Sequence, residues 1–145
     1  MEVNGNKLPN AFIEGINDNI FSREVGSWLL KEEVDSYGNQ LETELGKVFD
    51  NLKKIMDETS NLNKDFTPDG VYGSESEWKK EPGFIDDITD FTKIVTFAID
   101  GGGSPFCFDF RGSEESPKII WWADCYWREI SPNFEEFISL FEINS

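Results

Sequence analysis

The sequence predicts a mixed fold of helices and strands, in which a strand meander precedes a closing helix. Two short apolar runs, residues 94–100 and 105–110, flank the triple glycine at 101–103, and a third run, 119–122, follows them. Short apolar runs separated by turn-forming residues are typical of strands. Residues 133–141 then place apolar side chains at helical spacing, which predicts an amphipathic helix at the end of this unit.

Strand alternation assigns the side chains of the predicted hairpin to two faces. Phe106, Phe108 and Phe110 share one face, and the side chains between them are smaller or polar. We therefore expect one aromatic face and one polar face on this strand. The triple glycine suits a tight hairpin turn because glycine accepts positive φ angles. It lacks the lysine and Ser/Thr of a phosphate-binding loop, so it does not predict a nucleotide site.

Two further helices and an extended segment are predicted upstream. A short helix begins near Leu8 and Pro9, since proline suits a first helical turn. Residues 27–34 have an extended pattern. The strongest helical pattern spans residues 40–58, where the apolar side chains form one stripe. Residues 61–82 are polar and carry several turn formers, which predicts a long connection.

The chain is strongly acidic along its whole length. Its 29 acidic and 13 basic side chains give a net charge of -16, and it has no histidine. A negative surface repels nucleic acid and anionic membranes and attracts basic proteins. Solubility alone is a second explanation for such a charge. The length fits a single domain, residues 1–145, and the 38% hydrophobic content is enough to form its core.

The absence of targeting signals predicts a soluble cytoplasmic protein. The first residues carry neither the basic region nor the apolar run of a secretory signal, and no apolar run reaches the ~20 residues that span a bilayer. Cys107 and Cys125 do not make the disulfide framework that stabilises many small secreted domains. We therefore expect reduced thiols.

No residue pattern predicts catalysis, a metal site or a cofactor. Histidine, the commonest general base, is missing. Two cysteines cannot supply the four ligands of a structural zinc site without carboxylates. The acidic cluster Asp86, Asp87 and Asp90 lacks the ligand spacing of a calcium loop, so a solvated face explains it better. We therefore expect a protein that is not an enzyme and has no cofactor.

Binding residues are expected in the connections at strand ends, where acidic side chains come close to aromatic rings in the sequence. Tyrosine and tryptophan are favoured anchors at protein interfaces, and carboxylates steer a basic partner toward them. Core filling is the competing interpretation for each ring. The predicted binding residues are Asp100, Glu114, Glu115, Asp124, Tyr126 and Trp127.

Several stretches of the chain resemble the SUKH superfamily, which joins the yeast regulator of cell-wall glucan synthesis to many bacterial immunity proteins. The matching stretches are Leu8-Pro9 with Phe12, the sequence Phe-Ala-Ile-Asp-Gly-Gly-Gly at 97–103, the runs at 106–110 and at 119–122 with Asp124, and Ser-Pro-Asn-Phe-Glu-Glu-Phe-Ile at 131–138. The long segment 38–82 fits the superfamily only loosely. The matched motifs are mostly structural, so they point to a fold more than to an activity.

The resemblance implies an α+β fold, with a twisted and mainly antiparallel sheet of about five or six strands and helices packed on one side of it. It also implies a non-catalytic binding module. Many bacterial members neutralise secreted toxins, often nucleases or deaminases, so the implied partner is a basic toxin domain and not nucleic acid or a membrane. A scaffold or regulatory module similar to the yeast regulator is the alternative, and a small-ligand protein or an enzyme is a third.

Overall fold

Residues 1–22, 26–66, 80–123 and 126–143 are described by a computed structural model of the chain. The helices of this part are Asn10–Asn17 (α1), Leu52–Ser60 (α2), Leu62–Asp65 (α3) and Phe134–Ser139 (α4). Its strands are Glu2–Val3 (β1), Asn6–Lys7 (β2), Trp28–Leu29 (β3), Glu44–Leu45 (β4), Lys47–Val48 (β5), Phe84–Ile85 (β6), Ile94–Ile99 (β7), Pro105–Asp109 (β8), Lys118–Trp122 (β9) and Trp127–Ser131 (β10).

Six of these strands form one antiparallel sheet in the order β5-β7-β8-β9-β10-β6. The remaining four make two small pairs, β1 with β2 and β3 with β4. The sheet is antiparallel and helices pack on it, so the predicted α+β class and the sheet of five or six strands are confirmed. None of the described helices combines the length and apolar character required to cross a membrane.

The predicted hairpin is confirmed as the pair β7 and β8, in which Thr96 lies opposite Cys107. Its turn is closed by the Asp100 backbone N–H, which donates to the Ser104 carbonyl at 2.9 Å. Gly103 has a φ of 94°, a backbone conformation that residues other than glycine rarely adopt. β9 joins the same sheet as predicted, whereas β10 is a strand that the pattern analysis did not predict.

Helices cover both faces of this sheet, so the expectation of helices on one side is wrong. On the first face, Phe97 and Phe106 lie 5.5 and 5.3 Å, centroid to centroid, from the ring of Phe137 in α4. On the second face, Leu62 of α3 belongs to a separate core cluster with Cys107 and other residues. The expected polar face of β8 is therefore buried, and its Cys107 belongs to the same cluster as Leu62.

The predicted helix at 40–58 is wrong in its first half. The chain there forms β4 and β5, and α2 begins only at Leu52, after the extended residue Asn51. The backbone N–H groups of Gly46 and Phe49 both donate at 2.9 Å to carbonyls of the β7 segment. A Cβ at Gly46 would approach the Asp100 backbone to 2.8 Å, so glycine permits this close approach. The apolar side chains that precede α2 still reach the core, but they do so from extended backbone and not from a helix.

The other predicted helices are confirmed with shifted ends. α1 begins at Asn10, directly after Pro9, and its Phe12 is fully buried. The last helix is preceded by Asn133, whose side chain accepts from the Glu136 N–H at 2.8 Å. Asn133 is thus the N-cap, and Ser131 still belongs to β10. Of the predicted long connection, residues 67–79 lie outside the described part.

Candidate functional site

A cleft of about 470 Å³ lies where β9 ends and β10 begins. Its walls come from the loop around residue 40, from the segment before β6, and from the facing ends of the two strands. The lining side chains used below are Gln40, Glu42, Glu81, Trp121, Tyr126 and Arg128. Clefts of this size are typical of ligand sites in proteins.

The tryptophan wall of the cleft is held in place by Asp100. Trp121 is 9% exposed, and its indole Nε1 donates to Asp100 Oδ2 at 3.0 Å. The other oxygen, Oδ1, accepts from the backbone N–H groups of Gly102 and Ser104 at 2.9 and 2.8 Å. One carboxylate therefore joins the glycine turn of the β7–β8 hairpin to the cleft, and fixes the orientation of the indole ring.

A buried ion pair lies beside this tryptophan, because Arg128 of β10 is the cross-strand partner of Trp121 in β9. The Arg128 Nη2 donates to Asp35 Oδ2 and to the Gln40 carbonyl, both at 2.8 Å. Asp35 is also buried, and its Oδ1 accepts from the Tyr37 and Asn39 N–H groups at 2.8 and 3.0 Å. The loop 35–40 is thus closed around a carboxylate that Arg128 neutralises. The Nε of Arg128 has no hydrogen-bond partner in the described structure.

The rim of the cleft is acidic. Glu42 and Glu81 are exposed lining residues, and neither forms an ion pair with any described residue. Glu44 lies beside the glycine turn, where a Cβ at Gly101 would overlap its Oε1. The lining cation, Arg128, is already balanced by Asp35. The potential inside the cleft is therefore negative.

Two of the predicted binding residues come together at this end of the sheet. Asp100 supports the Trp121 wall, and Tyr126 lines the cleft while stacking on Phe84 at 5.9 Å between centroids. Tyr126 is only 7% exposed, so the expectation of a ring projecting from the surface is wrong for it. Asp124 lies outside the described residues.

Trp127 lies on the opposite face of the sheet. It is 1% exposed and packs against Phe66 and Trp122, with centroids 5.3 Å away in both cases. The expectation that its ring is exposed is wrong, because Trp127 pairs with Trp122 across β10 and β9 and both side chains enter the second core cluster. A partner cannot contact this ring while the sheet is intact.

Glu114 and Glu115 lie at the other end of the sheet, in the connection after β8. The five residues of β8 separate them from Asp100 by about 17 Å of strand. Glu114 is well exposed and its Oε1 lies 3.6 Å from the Lys93 Nζ. Glu115 lines a separate depression of about 220 Å³ with Pro9 and Asn133. The predicted residues therefore do not form one continuous site.

Comparison with protein families gives one match. Residues 3–140 match the sequence model of the SMI1 / KNR4 family (SUKH-1). The chain belongs to the SMI1 / KNR4 family. The resemblance to the SUKH superfamily is confirmed, and the match also covers the segment 38–82 that fitted loosely. No curated protein and no solved structure matches this SUKH-1 domain.

Sequence reasoning missed most of the cleft of this SUKH-1 domain. The sequence around Arg128 contains one usable signal. A cation close to the apolar Trp127 and Ile130 in a strand is expected to be buried, and a buried cation requires a partner. Its partner Asp35 is 93 positions away and carries no local signature. Glu42 lies within the helix predicted at 40–58, and nothing in that prediction distinguished it from the other acidic side chains.

The reactive groups of this SUKH-1 domain are poorly placed for chemistry. Burial raises the pKa of the Cys107 thiol to about 12, so it stays protonated. Burial and the hydrogen bond from its hydroxyl to Glu129 raise the pKa of Tyr37 as well. Within the described ranges, no three His, Cys, Asp or Glu side chains are grouped so that they could hold a metal ion.

Proposed function

We propose that this SUKH-1 domain is a non-catalytic protein-binding module, and specifically an immunity protein. It binds a toxin domain inside the producing cell and neutralises it through an acidic surface. The observation that carries the proposal is the preformed cleft, in a chain of net charge -16, whose two rim carboxylates form no ion pair among the described residues. The partner is a basic protein.

Electrostatic complementarity supports this partner class. An enzyme that acts on nucleic acid requires a positive groove for the phosphates. A negative surface is attracted to such a groove and competes with the nucleic acid for it. Glu42 and Glu81 make no ion pair among the described residues, and Glu42 accepts only from the neutral Gln40 side chain among the printed bonds, so both carboxylates can meet lysine and arginine side chains. Nucleases and deaminases are therefore the toxin classes that fit best.

The carboxylates that are best positioned are already engaged within the chain, which favours binding over catalysis. Both oxygens of Asp100 accept hydrogen bonds from the turn and from Trp121. Both oxygens of Asp35 are occupied in the same way. We place the binding face at the Asp100 end of the sheet, with Tyr126, and Asp124 stays a prediction from the sequence. Glu114 and Glu115 contribute through the long-range field.

Co-expression with a toxin tests the proposal. A toxin recovered from the native cell by affinity purification is produced with and without the tagged SUKH-1 domain, and growth and complex formation are measured. We expect growth to be restored and a stoichiometric complex to be isolated. Glu42→Lys with Glu81→Lys should abolish rescue, whereas Lys53→Glu, on the exposed side of α2, should retain it. Continued toxicity with the wild-type domain contradicts the immunity role.

Family membership also accommodates a scaffold or regulatory module, since the family includes the yeast regulator. The two roles differ in which proteins the domain binds in the cell. Affinity purification from the native cell, followed by mass spectrometry, should recover a toxin domain under our proposal. Reproducible recovery of cell-wall or signalling proteins, with no toxin, would contradict the immunity role and support the regulatory role. Turnover of a substrate that is lost on changing one carboxylate would indicate an enzyme.

A further inference from the structure

We propose that Asn4 is a site of spontaneous covalent modification, at which the side chain is converted to isoaspartate and the β1–β2 hairpin then leaves the core. The reaction takes water as its co-reactant and needs no enzyme. This inference does not depend on the proposed function. It rests on the sequence of the turn, on the exposure of the turn, and on the few contacts that hold the hairpin to the rest of the domain.

The turn between β1 and β2 places an exposed asparagine directly before an unhindered glycine. Asn4–Gly5 is the one Asn-Gly sequence in the chain. Both residues are exposed, and a Cβ at Gly5 would meet nothing within 4 Å. Asn4 has a φ of 53° and Gly5 a φ of 82°, as in the type I′ turns that favour Asn-Gly in two-residue hairpins. Glycine places no side chain beside its own backbone nitrogen, which is thus open to reaction.

An Asn-Gly sequence loses ammonia when the following backbone nitrogen attacks the side-chain amide. The Gly5 nitrogen forms a bond to Cγ of Asn4, its proton passes to solvent, and the side-chain nitrogen of Asn4 leaves as ammonia. Water then opens the resulting cyclic succinimide at either carbonyl, which gives aspartate or isoaspartate. Isoaspartate carries the main chain through Cβ and Cγ, so it adds a methylene to the backbone and a negative charge.

A few contacts hold the hairpin closed, and they control when the ring can form. Each strand has two residues, so strand pairing alone stabilises the hairpin little. The side-chain amide of Asn6 donates to the Val3 carbonyl at 3.0 Å and to the Thr92 carbonyl at 2.8 Å. Val3 is 3% exposed and belongs to the main core cluster. Ring closure needs a rotation of the Asn4 backbone that the closed turn prevents, so it occurs when these contacts open.

The isoaspartate product cannot return to the closed hairpin. A two-residue turn fits strands in which Val3 lies opposite Asn6, and the added methylene removes that register. Val3 then loses its position in the core, and the bond from Asn6 to the Val3 carbonyl is lost with it. The modification therefore distinguishes old copies of the domain from new ones by a permanently released hairpin.

Ageing of the intact chain tests the modification. The protein is kept in mildly alkaline buffer, and samples are digested after Lys7 under mildly acidic conditions that stop further reaction. Mass spectrometry of the peptide 1–7, with fragmentation that distinguishes isoaspartate from aspartate, locates the product. We expect isoaspartate to accumulate at Asn4, whereas Asn61 and Asn133, which precede bulky residues, stay unchanged. The free peptide of the same sequence should convert faster, because nothing holds its turn closed.

Asn6→Ala tests whether the contacts of the hairpin control the rate. Loss of the two bonds should accelerate conversion at Asn4 about tenfold, which corresponds to about 1.4 kcal/mol, the contribution of one or two net hydrogen bonds. Asn10→Ala, at the exposed start of α1, is the control and should convert at the wild-type rate. Circular dichroism verifies that both variants are folded.

Hydrogen exchange of the separated product tests the release of the hairpin. The isoaspartate form carries an added charge and is isolated by ion exchange. Its Leu8 N–H, which donates to the Met1 carbonyl at 3.0 Å, should exchange faster than in the unmodified chain. The Phe49 N–H, which donates within the sheet, should stay protected. Freshly prepared Asn4→Asp carries the same charge without the added methylene and should keep Leu8 protected.

Three outcomes overturn the inference. The first is no isoaspartate at Asn4 by the time the free peptide has converted. The second is an equal rate of conversion in Asn6→Ala and in the wild type. The third is a Leu8 N–H that exchanges as slowly in the isoaspartate form as in Asn4→Asp.

Discussion

Asp35 and Arg128 are the residues on which the geometry of the cleft depends. They form a buried ion pair whose side chains are 0% and 8% exposed, and the pair also closes the loop 35–40. A buried charge without its partner is strongly unfavourable, because the low-dielectric interior does not solvate it. Removing either charge therefore affects the stability of the chain as well as the shape of the wall.

Asp35→Asn keeps an oxygen for the Tyr37 and Asn39 N–H groups but removes the charge that neutralises Arg128. We expect the free energy of unfolding to fall by about 3–5 kcal/mol, the usual cost of breaking a buried pair. Urea denaturation followed by tryptophan fluorescence measures it. Asp57→Asn, which breaks the exposed pair with Lys53, is the control and should leave the midpoint nearly unchanged. Equal effects of the two changes would contradict our account.

Cys107 reports on the opening of the core. Burial raises the pKa of its thiol from the ordinary 9.0 to about 12, whereas the unfolded chain ionises at the ordinary value. The stabilising contribution is complete below pH 9 and is lost as the pH rises toward about 12. In a Cys125→Ser background, we expect labelling by a thiol reagent only as fast as the chain unfolds. Rapid labelling of the native protein would show that Cys107 is accessible.

At the scale of the elements, the start of α2 shows that a periodic apolar pattern does not by itself locate the end of a helix. The apolar stripe at 40–58 has helical spacing, yet Asn51 stops the helix from extending toward residue 40. Its side chain accepts from the Lys54 N–H at 2.8 Å and satisfies one of the free donors of the first turn. An N-cap signal inside an apolar stripe therefore gives better information on the boundary than the stripe itself.

Asn51→Ala removes this acceptor and leaves the N–H of Lys54 unpaired at the start of α2. We expect a loss of about 0.5–2 kcal/mol in the free energy of unfolding, the range for N-cap substitutions. Thermal or urea denaturation of the variant measures the loss. Asn51→Asp retains the acceptor and should restore most of the stability. If both variants were equally unstable, the hydrogen bond would not be the cause.

α4 stabilises the sheet through its aromatic side chains. Phe137 is fully buried, with its ring 5.3 Å from Phe106 and 5.5 Å from Phe97 between centroids. Phe137→Ala should reduce the free energy of unfolding by about 3–5 kcal/mol, because it leaves a cavity among packed rings. Glu135→Ala, on the exposed side of the same helix, is the control. A mild effect of Phe137→Ala would mean that the helix packs loosely.

At the scale of the whole molecule, charge should govern the rate at which a basic partner associates. Exposed charges act through a field that salt screens over about 8 Å at physiological ionic strength. We expect the association rate constant to fall steeply as salt rises, while dissociation changes little. Surface plasmon resonance at several salt concentrations measures both. An association rate that does not depend on salt would mean that the net charge of -16 contributes to solubility and not to partner association.

Charge reversal at the two ends of the sheet distinguishes residues that contact the partner from residues that only attract it at long range. Glu114→Lys with Glu115→Lys should slow association and leave dissociation nearly unchanged, since these residues lie about 17 Å of strand from Asp100. Glu42→Lys with Glu81→Lys should slow association and also accelerate dissociation. Identical kinetics in the two double variants would place the binding face elsewhere.

The sequence predicted the hairpin and the first and last helices, but the site only in part, because the former depend on local signals and the latter does not. The hairpin around residues 101–103 depends on alternation and on turn residues, and both are local. The cleft depends on pairs that are distant in sequence, such as Asp35 with Arg128 and Asp100 with Trp121. The rule that binding residues lie at strand ends did not distinguish the two ends of the sheet. It therefore grouped Glu114 with Asp100.

The edges of the sheet have a consequence for how such a domain acquires new specificities. Both edge strands, β5 and β6, contain only two residues, and beyond β6 the Ser36 N–H occupies the Ile130 carbonyl. A foreign strand finds little free backbone to extend this sheet. Recognition then falls to side chains on the surrounding loops, which can be substituted without disturbing the hydrogen-bonded ladder. The architecture thus allows rapid divergence of partners on a constant scaffold.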